Sequence, residues 1–344
     1  MSRQQSAAHR GQREPAFTLV ELMVVIGIIG LLVALVLPAV GAARRAARAG
    51  ATSATISVLE TGLEQYRADN RVGGAYPPSG LALPQEVAVS PHVTDSTYDN
   101  YPGGCPRVSG ASLLTWALAG ADLIGTPGFR DLNGNNIWED NTGSKSGSDA
   151  EYNLYAIYSA SHPDLALQGK PVHARSGPFV DISKMRFPQQ VERGKTLFEM
   201  AELVGRPRLT SICFLDSFGQ PILYYKANPA GNVMAANNRS GDDQGIYTLE
   251  DNADITGNPG DGLDLGGGAI DTSGNHHYMA VRATSQNPDK WERSFDRTIW
   301  NPTATVGGGT ITRPHRPDAF ILISAGPDGI FGSADDIANF KVNQ

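Results

Sequence analysis

The chain has 344 residues and a formal net charge of −7, which argues against a general nucleic-acid-binding role. Hydrophobic residues form 40% of it, charged residues only 18%, and Gly and Pro number 39 and 22. That composition describes a loop-rich globular protein with enough apolar material for a core, and it excludes a disordered chain or a coiled coil. The length permits one large domain or two smaller ones.

The charge is unevenly placed. Arg3, Arg10 and Arg13 precede Phe17 with a single acid, Glu14, so a basic leader stands before an acidic body. From Phe17 to Val40 the chain reads FTLVELMVVIGIIGLLVALVLPAV, with Glu21 its one charge. At about 1.5 Å rise per residue this stretch can cross a bilayer core. Arginines on its N-terminal side favour a cytoplasmic N-terminus and place the body outside. A secretory signal peptide has a shorter apolar region and a small-residue cleavage site after it; here the apolar run passes directly into more helix. A plain single-pass anchor accounts for the length but not for Glu21. An intramembrane carboxylate is costly and marks function. Glu21 stands one helical turn after Phe17. Cleavage between Ala16 and Phe17 creates an amine that can pair with Glu21 of a neighbouring subunit and set the axial register of a helical stack.

The run Phe17-Thr18-Leu19-Val20-Glu21-Leu22-Met23-Val24-Val25-Ile26 resembles the cleavage and methylation motif of type IV pilins and type II secretion pseudopilins. The resemblance implies a membrane peptidase that cuts before Phe17 and methylates the new N-terminus. It also implies an α+β type IV pilin fold, in which a long N-terminal helix packs on a small antiparallel sheet. Pro38 stands where the family has a helix-kinking proline. Ala16 stands where the family usually has Gly.

Beyond Pro38, which removes a backbone donor and should bend the helix, Ala42, Ala43, Ala46, Ala47, Ala49 and Ala51 favour helix. Ile56, Leu59, Leu63 and Tyr66 then recur at spacings that form one apolar face. Arg44, Arg45 and Arg48 read as a solvated or headgroup-facing set, with an acidic neighbouring subunit as the alternative. The helix should stop near Asn70, before Tyr76-Pro77-Pro78. The run Leu63 to Asn70 followed by Tyr76-Pro77 is similar to the major pseudopilin of type II secretion. The expected organisation is a leader at 1–16, a transmembrane and assembly segment at 17–40, an amphipathic continuation at 41–70, and a body at 71–344. That body carries a loop-rich insertion at about 84–205 and a sheet at about 211–344.

Within the body, Ser112 to Ala121 reads as a short buried helix and Pro188 to Val204 as another. Ser211 to Leu215, Pro221 to Lys226, His277 to Ala283 and Ala319 to Ser324 carry strand-like residues between turn signals. Leu215 to Pro221, with Tyr224 and Tyr225, resembles the family's turn between two strands, with Ser217 for Pro and Phe218 for Trp. The Asp- and Gly-rich stretch from Gly241 to Gly274 reads as a surface loop.

Hard cations take oxygen ligands. Asp328, Asp335 and Asp336, with Ser324 as a further candidate, lie in a Gly-rich C-terminal stretch. The stretch resembles the calcium-binding C-terminal loop of major pseudopilins, so Ca²⁺ is an expected structural cofactor; a solvated acidic turn is the alternative. Asp131, Asn133, Asn135, Glu139 and Asp140 show oxygen side chains in an EF-hand-like rhythm, but Thr142 stands where the twelfth-position Glu belongs. A metal-free Asx-type turn accounts for them equally. Asp242, Asp243, Asp251, Asp254, Asp261, Asp264 and Asp271 show no ligand spacing. Cys105 and Cys213 can pair in an exported chain or remain two separate buried thiols.

No Gly-x-Ser-x-Gly elbow, His-Glu-x-x-His pair or phosphate loop is present, and His276-His277 lacks helical ligand spacing. The chain therefore reads as structural, not enzymatic. The resemblance implies a type II secretion pseudopilin, closest to the major one, in the bacterial inner membrane with its body in the periplasm. The implied partners are other pseudopilin subunits, prepilin peptidase and the inner-membrane assembly platform, with no nucleic acid. The alternatives are a surface type IV pilin for adhesion, motility or DNA uptake, and a membrane-tethered calcium-dependent adhesin that does not polymerise.

Overall fold

The computed structural model describes residues 19–72, 74–80, 109–120, 123–130, 161, 163–187, 212–236, 244–256, 277–280, 294–306, 309–310 and 312–342. The chain divides into two compact units, Met1–Ala47 and Arg48–Gln344.

Helix α1, Leu19–Ala68, is 50 residues long and carries Pro38 within it. In the first unit its large apolar side chains are exposed, from Leu19 at 71% to Val40 at 41%. In the second unit the helix turns amphipathic. Thr52, Ile56, Leu59, Gly62, Leu63 and Tyr66 are buried at the three- and four-residue spacing of one face. Thr55, Ser57 and Thr61 donate to the carbonyls of Ala51, Ser53 and Ser57, so their hydroxyls are satisfied inside the helix. After Ala68 a 3₁₀ turn, Asn70–Val72, ends the run. The Asp69 carboxylate accepts from the Arg71 amide and guanidinium, and these bonds hold its pKa down to about 2.

Helix α2, Gly110–Leu118, is buried along its whole length and begins at Ser109, whose hydroxyl accepts from the Ser112 amide. It starts two residues before the expected Ser112 and ends before Ala121. Leu114, Ala117 and Leu118 of α2, with Val180, pack on the α1 face. Gly62 allows this approach, since a Cβ there meets Val180 Cγ1 at 2.8 Å. The described parts of the expected insertion thus carry core residues.

The principal sheet has the order β1-β6-β7, with β1 at Leu223–Lys226, β6 at Phe320–Ser324 and β7 at Ile337–Ala338. Both pairings are antiparallel, with Leu223 opposite Ile323 and Ser324 opposite Ile337. The continuous apolar runs of β1 and β6 follow from burial of both faces. Tyr224, Phe320 and Leu322 join α1 and α2 on one face. Leu223, Tyr225, Ile321 and Ile323 enter a second cluster with Tyr247, Met279, Phe295, Ile299 and Phe331. The α+β arrangement of a long apolar N-terminal helix and a small antiparallel sheet is the expected one.

Three expectations are corrected. Ser211 to Leu215 is not a strand in its described part: only Leu215 forms bridges, to Arg186 and Pro221, because the chain turns back at Asp216. His277 to Ala283 is not a strand where described. Tyr278–Ala280 is a 3₁₀ turn that drives Met279 into the second cluster. The Gly241 to Gly274 stretch is no surface loop over 245–256. Strand β3, Gly245–Thr248, pairs in parallel with β2, Val233–Ala236, and Tyr247, Leu249, Asp251 and Asn252 are buried. Tyr247 drives this, its ring filling the core while its hydroxyl donates to the His315 and Arg316 carbonyls. Strand β4, Thr305–Val306, pairs antiparallel with β5, Gly309–Thr310. The expected helix at Pro188 to Val204 lies outside the described residues.

Leu63 is fully buried on the α1 face, whereas Val58 is 43% exposed. Leu63→Ala should cost about 2–5 kcal/mol, and Val58→Ala less than about 0.5 kcal/mol. Melting of the detergent-solubilised full chain, followed by circular dichroism, measures both. Coincident curves for the two variants would overturn the assigned packing face.

Candidate functional site

The N-terminal site begins with Glu21 in the first turn of α1, where the helix dipole favours a carboxylate. Ala16 and Phe17, the expected cleavage pair, lie outside the described residues. Pro38 lies within α1. The helix is long and apolar enough to cross a membrane, and its most apolar window is unburied. Exposed side chains from Leu19 to Val40 present hydrocarbon, a surface suited to lipid or to neighbouring helices.

In the body, the expected turn forms at Leu215 to Pro221. The Asp216 amide donates to the Gln220 carbonyl at 2.8 Å. Asp216 is fully buried, and its Oδ1 accepts from the Phe218 and Gln220 amides at 2.8 Å each. Its Oδ2 accepts from the Ser324 hydroxyl at 2.5 Å, at the end of β6. The Ser217 amide donates to Thr52 Oγ1 of α1 at 3.1 Å. One carboxylate thus ties the turn to β6, and the next residue ties it to the long helix. The importance of Asp216 is not evident from composition. Its signal is an Asp opening a turn three residues before Gly219, an Asx-turn pattern.

The C-terminal loop follows β6. Gly326 has φ +62°, and a Cβ there would meet the Asp335 carbonyl at 2.2 Å, so the close fold of the loop requires glycine. The Asp328 amide donates to Asp335 Oδ2 at 3.2 Å, and the Ile330 amide to Asp328 Oδ1 at 2.8 Å. The Gly332 amide donates to Asp336 Oδ2 at 2.8 Å, and the Ser333 hydroxyl to Asp335 Oδ1 at 2.5 Å. The structure thus brings Asp328, Asp335 and Asp336 into one loop, while the Ser324 hydroxyl turns to Asp216. Burial pushes the Asp336 pKa well above the ordinary carboxylate value, with Asp328 and Asp335 adding to it. Burial and the neighbouring Asp335 likewise push Asp328 up. The donors are hard oxygens of the kind calcium takes. Among the described residues, no group of three or more His, Cys, Asp or Glu side chains is placed to hold a metal ion. A cation here therefore requires backbone carbonyls or water as further ligands.

The second expected metal stretch, Asp131 to Asp140, lies outside the described residues. Cys213 is buried in the second core cluster, and Cys105 lies outside the described residues. Of the scattered acids, Asp251 is buried and accepts from the Ser79 hydroxyl at 2.5 Å, a structural bond. Sequence reasoning also missed the cluster in which Arg316 and Asn339 bind Glu60 of α1, which closes the C-terminal segment on the long helix.

The family model for the prokaryotic N-terminal methylation motif matches residues 12–37. Comparison with curated proteins and with solved structures finds no match. The matched segment contains Phe17, Glu21 and the first half of the apolar helix. The motif and the helix that bears it support a membrane-anchored, type IV pilin-like subunit that a prepilin peptidase processes.

Proposed function

We propose that the chain is a subunit of a type II secretion pseudopilus, closest to the major pseudopilin. The observation that carries this reading is the run Leu63 to Asn70 with Tyr76-Pro77, whose residues work together. The Tyr76 hydroxyl donates to Glu64 Oε1 at 2.7 Å, and Arg67 Nη1 donates to the Tyr76 hydroxyl at 3.0 Å. The Arg67 guanidinium lies 4.9 Å from the Tyr76 ring centroid, and that ring meets Phe320 of β6 edge-on. The run that resembles the major pseudopilin thus locks the end of α1 to the sheet.

In this reading, subunits leave the inner membrane with their bodies in the periplasm and stack through their N-terminal helices. The amine of Phe17 meets Glu21 of a neighbour in a low-dielectric setting, where each charge offsets the cost of the other. The partners are copies of this chain, minor pseudopilins, the prepilin peptidase and the inner-membrane assembly platform. The fibre pushes folded substrates outward. Calcium in the C-terminal loop would take carboxylate oxygens among Asp328, Asp335 and Asp336 together with backbone carbonyls or water, neutralise the crowded carboxylates and fix the strand that follows.

Three outcomes are expected. Mass spectrometry of the membrane-extracted protein should find a chain beginning at N-methyl-Phe17, and a mature chain retaining Arg13 would contradict processing. Deletion of the gene should leave specific exoproteins inside the cell, with export restored by the wild-type chain and not by Glu21→Ala. Unchanged export with lost surface fibres, attachment or DNA uptake would instead assign a surface pilin. Chelation of calcium should lower the melting temperature of the solubilised full chain, and Asp335→Ala should remove most of that response. A melting curve indifferent to chelator would sink the calcium assignment.

A further inference from the structure

The apolar half of α1 ends at Val40, and Arg44, Arg45 and Arg48 follow within about two helical turns. All three are exposed. None takes part in the ion pairs formed among the described residues. No acidic residue stands between Glu21 and Glu60, and Glu60 is itself bound by Arg316 and Asn339. The segment is therefore a compact positive patch with no acidic residue beside it on its own helix.

Depth favours a lipid partner. With about 1.5 Å rise per residue, Arg44 stands about 6 Å and Arg48 about 12 Å beyond Val40. The headgroup layer on each side of the hydrocarbon is about 5–8 Å thick. Cα–Cβ bonds in a helix tilt toward its N-terminus, so these side chains lean back toward the apolar half. A long arginine stem can lie along apolar surface while its head reaches a polar layer. The guanidinium fork matches phosphate oxygens in bidentate fashion.

We propose that Arg44, Arg45 and Arg48 form a phosphate-binding collar that docks α1, where it leaves the bilayer, on anionic phospholipid headgroups. The collar fixes the depth of the subunit in the membrane. A subunit entering a fibre must break these contacts, so the anionic lipid content sets part of the resistance to leaving. The inference rests on the membrane-spanning reading of α1 and not on the kind of fibre.

The test uses the full chain in vesicles of phosphatidylcholine mixed with phosphatidylglycerol. Spin-labelled lipids report the fraction of each that the protein immobilises. The wild-type chain should select phosphatidylglycerol over phosphatidylcholine at least about fivefold at low salt, the effect of one arginine at an anionic surface. High salt should collapse the preference. The combined variant R44Q/R45Q/R48Q should lose it, and R44K/R45K/R48K should retain most of it. Equal selection of both lipids by the wild-type chain, or a preference that survives the glutamine variant, overturns the proposal. So does an absent lipid preference with loss of chemical cross-linking between copies in the glutamine variant, which assigns the patch to a second subunit. No export phenotype is read, so failure of the secretion reading leaves this result standing.

Discussion

A single continuous helix has to satisfy two different surroundings, and the fold is organised by that demand. Through Val40 the large side chains of α1 are apolar and exposed, a surface that water would oppose. From Thr52 the same helix buries one face, and the hydroxyls of Thr55, Ser57 and Thr61 are satisfied by carbonyls of the preceding turn. The change takes place over a short alanine- and arginine-rich stretch without a break in the helix. Alanine permits it, because it favours helix and imposes no face of its own. The one carboxylate of the apolar half, Glu21, stands in the first turn, where the helix dipole favours it.

The body answers the amphipathic half with a sheet that is buried on both sides. Alternation along β1 and β6 sends Tyr224, Phe320 and Leu322 to the helix and Leu223, Tyr225, Ile321 and Ile323 to the second cluster. Asp216 then converts packing into register. Its oxygens accept two amides within the turn and the hydroxyl of Ser324 at the far end of β6, while the neighbouring Ser217 amide binds Thr52. A buried carboxylate accepting three hydrogen bonds is well compensated, and removing it would orphan donors on two separate segments.

The legible parts of the sequence were those with a strong period or a distinctive residue. The apolar run to Val40, the face at Ile56, Leu59, Leu63 and Tyr66, the helix around Leu113 to Leu118 and the apolar strands at 223–226 and 320–324 all declared themselves locally. The failures share a cause. Tyr247 and Leu249 stand among Asp, Gly and Asn, so local polarity masked a strand whose burial depends on distant partners. His277 to Ala280 carries strand-like residues, yet its geometry is set by the Phe331 carbonyl, which accepts from the Met279 amide. Ser211 to Leu215 has strand propensity, but its chain course is dictated by the turn at Asp216. Propensity yields to tertiary contact in each case. The short β7 strand was hidden for the opposite reason: two residues give no period, and only pairing with Ile323 and Ser324 defines it.

The C-terminal loop joins these themes. Amides donate to Asp328 and Asp336, which lowers their pKa values, yet burial and mutual repulsion leave both above the ordinary range. Burial therefore wins over hydrogen bonding in this loop, and its ionised form carries an unrelieved cost. A proton relieves one carboxylate and removes its capacity to accept at that oxygen. The calcium proposed above would instead relieve charge while leaving the oxygens as ligands. The loop departs from Ser324, whose hydroxyl sits on Asp216, and returns as β7 beside that same residue. Whatever neutralises the loop thus steadies the end of the sheet at the point where the turn reaches the Thr52 hydroxyl of α1.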